Sequence, residues 1–361
     1  MTSEYQKYAE QLKNQKLFEL EQLYQTYLHT YIPIFQNHFQ QICETIADLQ
    51  EKNEQGEISY LEYTLLFTNL INKEYTAEVR VYDDSWYFDA DQRAVGRFDF
   101  SFLFTKYEEL WTELMSSRKR FAGAVTAQET IAFLLSCAGQ FYKYVVSAFR
   151  FAILPCVESV PFLSIRRGNE FEINVGEYMG HTEAIYKENR QRSSEEALDW
   201  FSLREEYEYA FEDFTGLDFS GADLSEIDLR YSDLRHSTLV GTDFQDSMLF
   251  GTRFGHACLR NADLRYCLLH ESDFTGADLT NACFCAAKAY RGVPNHSKWT
   301  ITGYQSVSFR DADLTNADFT RSRIRDADFT GAIMNGAIIE RTQLDQFTLS
   351  PAQMHSIKLI D

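Results

Sequence analysis

From Phe214 onward every fifth residue is Phe or Leu, and the series runs unbroken through Phe284, fifteen hits in a row. A stride of five fits neither the 3.6-residue turn of an α-helix nor the two-residue alternation of a flat strand. It does let one large side chain point inward from each side of a winding chain. Two residues before most hits stands a small side chain: Ala222, Ser232, Ser237, Thr242, Ser247, Thr252, Ala257, Ala262, Cys267, Ser272, Ala277 and Ala282, with Leu217 and Ile227 as exceptions. The pattern resumes at Phe309 and continues through Leu314, Phe319, Ile324, Phe329, Met334, Ile339 and Leu344. Large plates with small neighbours predict a solenoid in which each repeat packs on the next.

The units Ala222-Asp223-Leu224, Ala262-Asp263-Leu264, Ala277-Asp278-Leu279 and Ala312-Asp313-Leu314 resemble the A-(D/N)-L-X-X unit of the pentapeptide repeat family, over about 135 residues. The resemblance implies a right-handed quadrilateral β-helix, with four pentapeptides to each turn. Turns about 4.8 Å apart pair as parallel strands, and open ends of such a stack must be covered because they would template aggregation. Ser350-Pro351-Ala352-Gln353 supplies an N-cap serine, a proline at the first helical position and a glutamine at the third, which predicts a short helix over the last turn. At the other end Glu195–Phe211 reads as helical with an aromatic side, suited to seal the first turn.

The expected architecture is α+β and multidomain. Residues 1–210 form a mainly α-helical domain that resembles no family, 211–349 the β-helix, and 350–361 a C-terminal capping helix. Residues 286–306 are either an irregular coil or a projecting loop, with Pro294 and Trp299 at plate positions. In the first domain Tyr5, Tyr8, Leu12, Leu20, Leu23 and Tyr27 follow helical spacing, and further helices are expected near 31–52, 58–74, 97–117 and 125–152. Thr76–Tyr82 alternates like a strand, Asp83-Asp84-Ser85 turns into a hairpin at Trp86-Tyr87-Phe88, and Phe171–Val175 adds a strand.

A net charge of −20 repels nucleic acid and anionic membranes, so a protein partner is expected, with no direct nucleic acid and no membrane contact. The most apolar stretch, Ile131–Leu163, is interrupted by Gln140, Lys143, Arg150 and Glu158, which reads as a buried helix. The first thirty residues are charged throughout and lack the apolar core of a secretory signal. Seven cysteines without a CxxC pair point to free thiols in a reducing compartment, the cytoplasm, rather than to disulfides or zinc. Residues 51–62 approach an EF-hand loop, but Glu51 and Gln55 stand where short ligands belong, so a plain helix-turn-helix is expected there. No GxSxG, HExxH, P-loop or GxGxxG occurs, which predicts a non-enzymatic protein with no cofactor and no metal.

The residue before each plate faces outward and recurs on one side once per turn. Asp223, Asp243 and Asp263 therefore stack as a carboxylate ladder, whereas Asp233, Arg253 and Asp273 alternate in sign. Met248, Phe250 and Leu268 form an outward apolar strip that the N-terminal domain, a partner chain or a second copy must cover. Ile333 and Ile338 pose the same question at the C-terminal end, where the capping helix or a homodimer contact would hide them. Arg291, His296, Lys298 and Trp299 in the break are candidates for partner contact.

In the gyrase-protecting branch of the family the rod imitates DNA, so the resemblance implies a DNA-mimic modulator of a type II topoisomerase, DNA gyrase, with a bearing on antibiotic resistance. The alternative is a scaffold or an immunity or self-resistance factor whose N-terminal domain selects the partner, and the third reading an enzyme within residues 1–210. Charge favours the alternative: residues 211–361 hold 21 acidic and 14 basic groups, net −7, leaving net −13 to residues 1–210.

Overall fold

Helix α1 runs without interruption from Ser3 to Glu51, through Pro33. Sequence spacing divided this segment near residue 30. The buried stripe Tyr5, Ala9, Leu12, Leu20, Tyr24, Leu28, Phe35, Phe39, Ile42 and Ile46 continues along one face past Pro33 and holds it as one element. The computed structural model describes residues 3–89, 92–121, 125–178, 180, 182–205, 208–290 and 305–361. The chain divides into two units, Met1–Lys187 and Glu188–Asp361.

In the first unit α1 is followed by β1 (Ile58–Leu65), α2 (Phe67–Ile71), β2 (Thr76–Tyr82), β3 (Arg93–Asp99), α3 (Thr105–Ser117), α4 (Ala127–Ile153), α5 (Val160–Leu163), β4 (Arg167–Glu177) and β5 (Thr182–Asn189). The strands form one sheet in the order β3-β2-β1-β4-β5, with β1 antiparallel to β2 and parallel to β4. Helices dominate as expected, yet the sheet is larger than the sequence reading allowed. The helix expected over 58–74 is strand β1 for most of its length, because Leu61, Tyr63 and Leu65 bury one face while Glu62 and Thr64 are buried on the other. The segment after α1 is accordingly helix-turn-strand, not helix-turn-helix. Strand β2 lies where its alternation placed it, and the return strand of its hairpin is Arg93–Asp99, beyond a short 3-10 turn at Trp86–Phe88. That strand takes the start of the helix expected over 97–117.

The core of this unit is aromatic. Phe35 of α1, Tyr63 of β1, Phe98 of β3 and Phe149 of α4 meet with ring centroids 4.3–5.1 Å apart. By length and composition the helical segment Ala127–Cys156 is apolar enough to cross a membrane. From Phe141 onward buried residues lie all around α4, however, and Arg150 within it is ion-paired with Glu183, as in the core helix of a folded unit.

In the second unit the chain winds so that each position pairs with the one 20 residues later. Asp213 bridges Asp233, Asp218 bridges Thr238, Asp223 bridges Asp243 and Asp228 bridges Met248, all parallel, which makes four pairing columns per turn. The large plates fill the interior and are buried from Phe214 to Phe284 and again from Phe309 to Ile339, whereas Leu344, expected as a further plate, is only partly buried and lies in a 3-10 turn at Arg341–Gln346. Their rings stack along the winding axis: Phe254 on Phe274 at 4.8 Å and 3°, Phe309 on Phe329 at 5.1 Å and 7°. At each corner the second residue after a plate has a left-handed backbone; Tyr231, His236, Asp246, His256 and Asn261 have φ of 57–61°.

The small positions carry a second function. The buried hydroxyls of Ser237, Thr242, Ser247 and Thr252 donate to the plate carbonyls of Phe214, Phe219, Leu224 and Leu229 in the preceding turn, at 2.7–2.9 Å. At these four positions the interior hydroxyls are thereby satisfied, whereas the buried Ser322 hydroxyl, at the small position before Ile324, has no such bond.

Both ends are closed. Helix α6 (Ser194–Ser202) starts at a capping box of Ser193 and Glu196, and its Phe201 packs on Phe214 and Phe219 at 4.9 and 5.4 Å. These contacts tie 188–210 to the winding chain, so the division falls at Lys187 rather than at 210. Helix α7 (Pro351–Ser356) carries the expected capping box of Ser350 and Gln353. The Gln353 amide also donates to the carbonyls of Phe329 and Ala332 at 2.8 and 3.0 Å. After α7 the chain does not stay helical: Lys358–Ile360 pairs in parallel with Ile338–Glu340.

Candidate interaction surface

The pairing columns fix which side chains share an outer face. One column runs Asp223, Asp243, Asp263, Cys283, Asp318 and Ile338. The expected ladder of Asp223, Asp243 and Asp263 is therefore brought together, but its charge is partly answered from neighbouring positions. Arg204 reaches Asp223 at 3.0 Å and Arg265 reaches Asp263 at 2.5 Å. Each carboxylate also accepts the backbone N–H two residues on, from Ser225, Gln245 and Arg265, at 2.8–3.0 Å. The aspartates thus hold the corner turns as well as facing outward. The Ser225 hydroxyl and N–H, with Arg204, hold exposed Asp223 down at about 2.

The next column runs Asp213, Asp233, Arg253, Asp273, Ser308 and Asp328. Here Arg253 donates to Asp233 at 3.1 Å with both side chains buried, the self-compensating arrangement that the alternating signs predict. A third column places Met248 beside Leu268 and then Lys288, both apolar residues half-buried. Phe250 is not the bare outward ring expected from its position. It is 3% exposed and stacks on His270 at 4.6 Å, and His270 in turn meets Tyr290 at 4.2 Å. Side chains of successive turns stack on each other, which a reading confined to one turn does not reveal.

Sequence reading also missed a cluster of corner residues. Phe211 stacks on Tyr231 at 5.4 Å, and the Tyr231 hydroxyl donates to the buried carboxylate of Glu271 at 3.0 Å, two turns further on. Glu271 accepts a second bond from the Gln305 N–H at 2.9 Å. No five-residue pattern marks these positions, because corner residues vary freely in type.

Pairing across the break shows how the two blocks join. Asp273 bridges Ser308 and Cys283 bridges Asp318, 35 residues on rather than 20, a surplus of 15. Ala289, fully buried, fills the fourth plate position of its turn and pairs with Ile324, and Phe309 stacks directly on Phe274 at 5.2 Å. The stack therefore closes across the surplus. Arg291, His296, Lys298 and Trp299, with Pro294, lie outside the described residues. At the far end Ile338 is paired beside the C-terminal strand, whereas Ile333 stays 48% exposed, and Arg321, Arg323 and Arg325 are exposed.

With this geometry in place, the family model for pentapeptide repeats matches in 8 copies at residues 227–265, 259–288 and 305–350. The C-terminal region is a pentapeptide repeat region. No curated protein matches the chain. Among solved structures, the chain is similar to the pentapeptide repeat protein Rfr23 of the cyanobacterium Cyanothece 51142, at 16% identity and a TM-score of 0.28, over 38% of this chain and 99% of that one. It is similar to HetL of Nostoc sp. strain PCC 7120, a protein involved in heterocyst differentiation regulation, at 26% identity and a TM-score of 0.19, over 35% and 70% of the two chains. It is also similar to QnrB1, a plasmid-mediated fluoroquinolone resistance protein, at 16% identity and a TM-score of 0.23, over 44% and 88%.

Proposed function

We propose that the pentapeptide repeat region is a right-handed quadrilateral β-helix acting as a non-enzymatic, protein-binding surface, with a type II topoisomerase such as DNA gyrase as the partner. The observation that carries this reading is the column of Asp223, Asp243 and Asp263, which sets carboxylates in register on successive paired turns. Paired strands lie about 4.8 Å apart, so the column offers a regular row of carboxylates, two of them paired by Arg204 and Arg265, at a step somewhat longer than the about 3.4 Å axial rise per phosphate of a DNA strand. A basic groove built for DNA would accept such a row. The plates beneath it are fully buried and stacked, so the row is held on a packed support.

Supercoiling by purified gyrase, with and without fluoroquinolone, tests the partner. The full chain should shift the activity or its drug sensitivity in a dose-dependent way, and replacement of Asp223, Asp243 and Asp263 by Asn should weaken that shift severalfold. Indifference of gyrase to a large molar excess of the folded chain removes the topoisomerase reading.

A scaffold or immunity role in which the first unit chooses the partner is a second reading, supported by the acidic excess that residues 1–187 carry on their own, 26 acidic against 17 basic groups, net −9. Affinity capture by the full chain distinguishes the two, since prey held through the first unit survives the triple Asn substitution. Free thiols at all seven cysteines suit a cytoplasmic setting for either role.

A further inference from the structure

Cys283 and Cys285 flank the inward plate Phe284, so both thiols leave the chain on the outer side of the same short pairing segment. Their sulfurs lie 3.0 Å apart. Cys283 is bridged in parallel to Asp318, which the surplus of 15 residues brings alongside. One oxygen of the Asp318 carboxylate is engaged by the Thr320 hydroxyl and N–H, which fixes the orientation of the group. The two sulfurs and a carboxylate oxygen all lie within 4.8 Å of one another, and all three residues are half-buried.

We propose that Cys283, Cys285 and Asp318 form a binding site for a borderline-soft divalent cation of the zinc class. Two thiolates and one carboxylate match the donor preference of such ions, and hard cations such as calcium and magnesium prefer oxygen alone. Zinc–sulfur bonds of about 2.3 Å in a tetrahedral site put two sulfurs about 3.8 Å apart, so the pair opens modestly by side-chain rotation. Three protein ligands on an outer face leave a fourth position for water. Two local charges bear on occupation by a cation, one favourable and one that moderates it. Asp263, the neighbour of Cys283 in the preceding turn, adds negative potential, and Arg265, which pairs with Asp263, limits the repulsion within the group. Binding displaces the thiol protons to solvent.

The sequence reading set the cysteines aside because no CxxC pair exists. The site is built instead from a C-x-C pair and an aspartate 35 positions beyond Cys283, a spacing that only the register across the surplus makes local.

The test uses the full chain, reduced and stripped with chelator, titrated with Co²⁺ and then with Zn²⁺. A thiolate-to-cobalt charge-transfer band should rise to one equivalent and be displaced by Zn²⁺. Either C283S or C285S should abolish it, Asp318→Asn should weaken binding at least tenfold, and Cys258→Ser in a different column should change nothing. Circular dichroism confirms that each variant remains folded. Absence of the band in the folded, reduced wild type, or its persistence in the double Cys283→Ser/Cys285→Ser variant, overturns the proposal.

Discussion

Replacing Phe274 with Ala removes a plate at the joint between the two repeat blocks. Its ring is fully buried and stacks on Phe254 at 4.8 Å and on Phe309 at 5.2 Å, with the edge of Phe284 at 5.9 Å. Truncating a buried Phe costs about 3–5 kcal/mol, and aromatic pairs add about 0.5–1.5 kcal/mol each beyond their area. Three lost pairs place this site near the top of that range. Phe274→Leu keeps most of the volume and forfeits mainly the three ring pairs, so a loss of at least about 1.5 kcal/mol, smaller than that of the Ala variant, is expected. Because a two-unit chain need not unfold in one step, the readout is amide hydrogen exchange of peptides covering residues 254–289 and 305–329. Each 1.4 kcal/mol is about tenfold in protection, so Phe274→Ala should lose roughly three to three and a half powers of ten on both sides of the joint. A loss below tenfold, or equal losses in the Ala and Leu variants, would show that the stacked plates do not carry the coupling across the surplus segment.

Gly251 has φ +58°, and a side-chain carbon there would run into the Tyr231 ring. Gly251→Ala should therefore destabilise the repeat region by about 1–3 kcal/mol, and Tyr231→Ala in the same chain should recover part of that loss in a thermal melt. In the first unit, Lys106 and Lys16 hold Glu109 below the usual carboxylate range. A depressed carboxylate contributes stability that is fully present above its unfolded value, about 4.3, and lost as pH falls through the lower folded value. Urea midpoints of the first unit should accordingly fall on acidification below about 4, and Lys16→Met should flatten that dependence; an unchanged acid limb in the variant would remove Lys16 from the account.

The stride of large plates and small neighbours was legible because every inward slot in a repeating stack imposes the same size limit. The C-terminal cap was legible too, since Ser350 and Gln353 satisfy local helix-end groups that any short-range reading can find, whereas the helix expected over 195–211 ends at Ser202. The first unit was harder to read. Residues 58–65 alternate between Leu61, Tyr63 and Leu65 and the polar Glu62 and Thr64, yet both faces are buried between neighbouring strands and helices. That alternation is itself a strand signal, which the helical reading of 58–74 passed over; only the fold shows that its polar face is buried too.

The amino-acid sequence by itself determined that residues after Phe214 wind with large side chains inward, because a five-residue period satisfies no other regular backbone. Only the tertiary structure decided which residues became neighbours across turns. Phe250 was buried by His270, Phe309 was set on Phe274, and Asp318 was brought to Cys283 and Cys285. The physical reason is register: pairing between turns depends on how many residues each turn consumes, and one turn consumes 35 rather than 20.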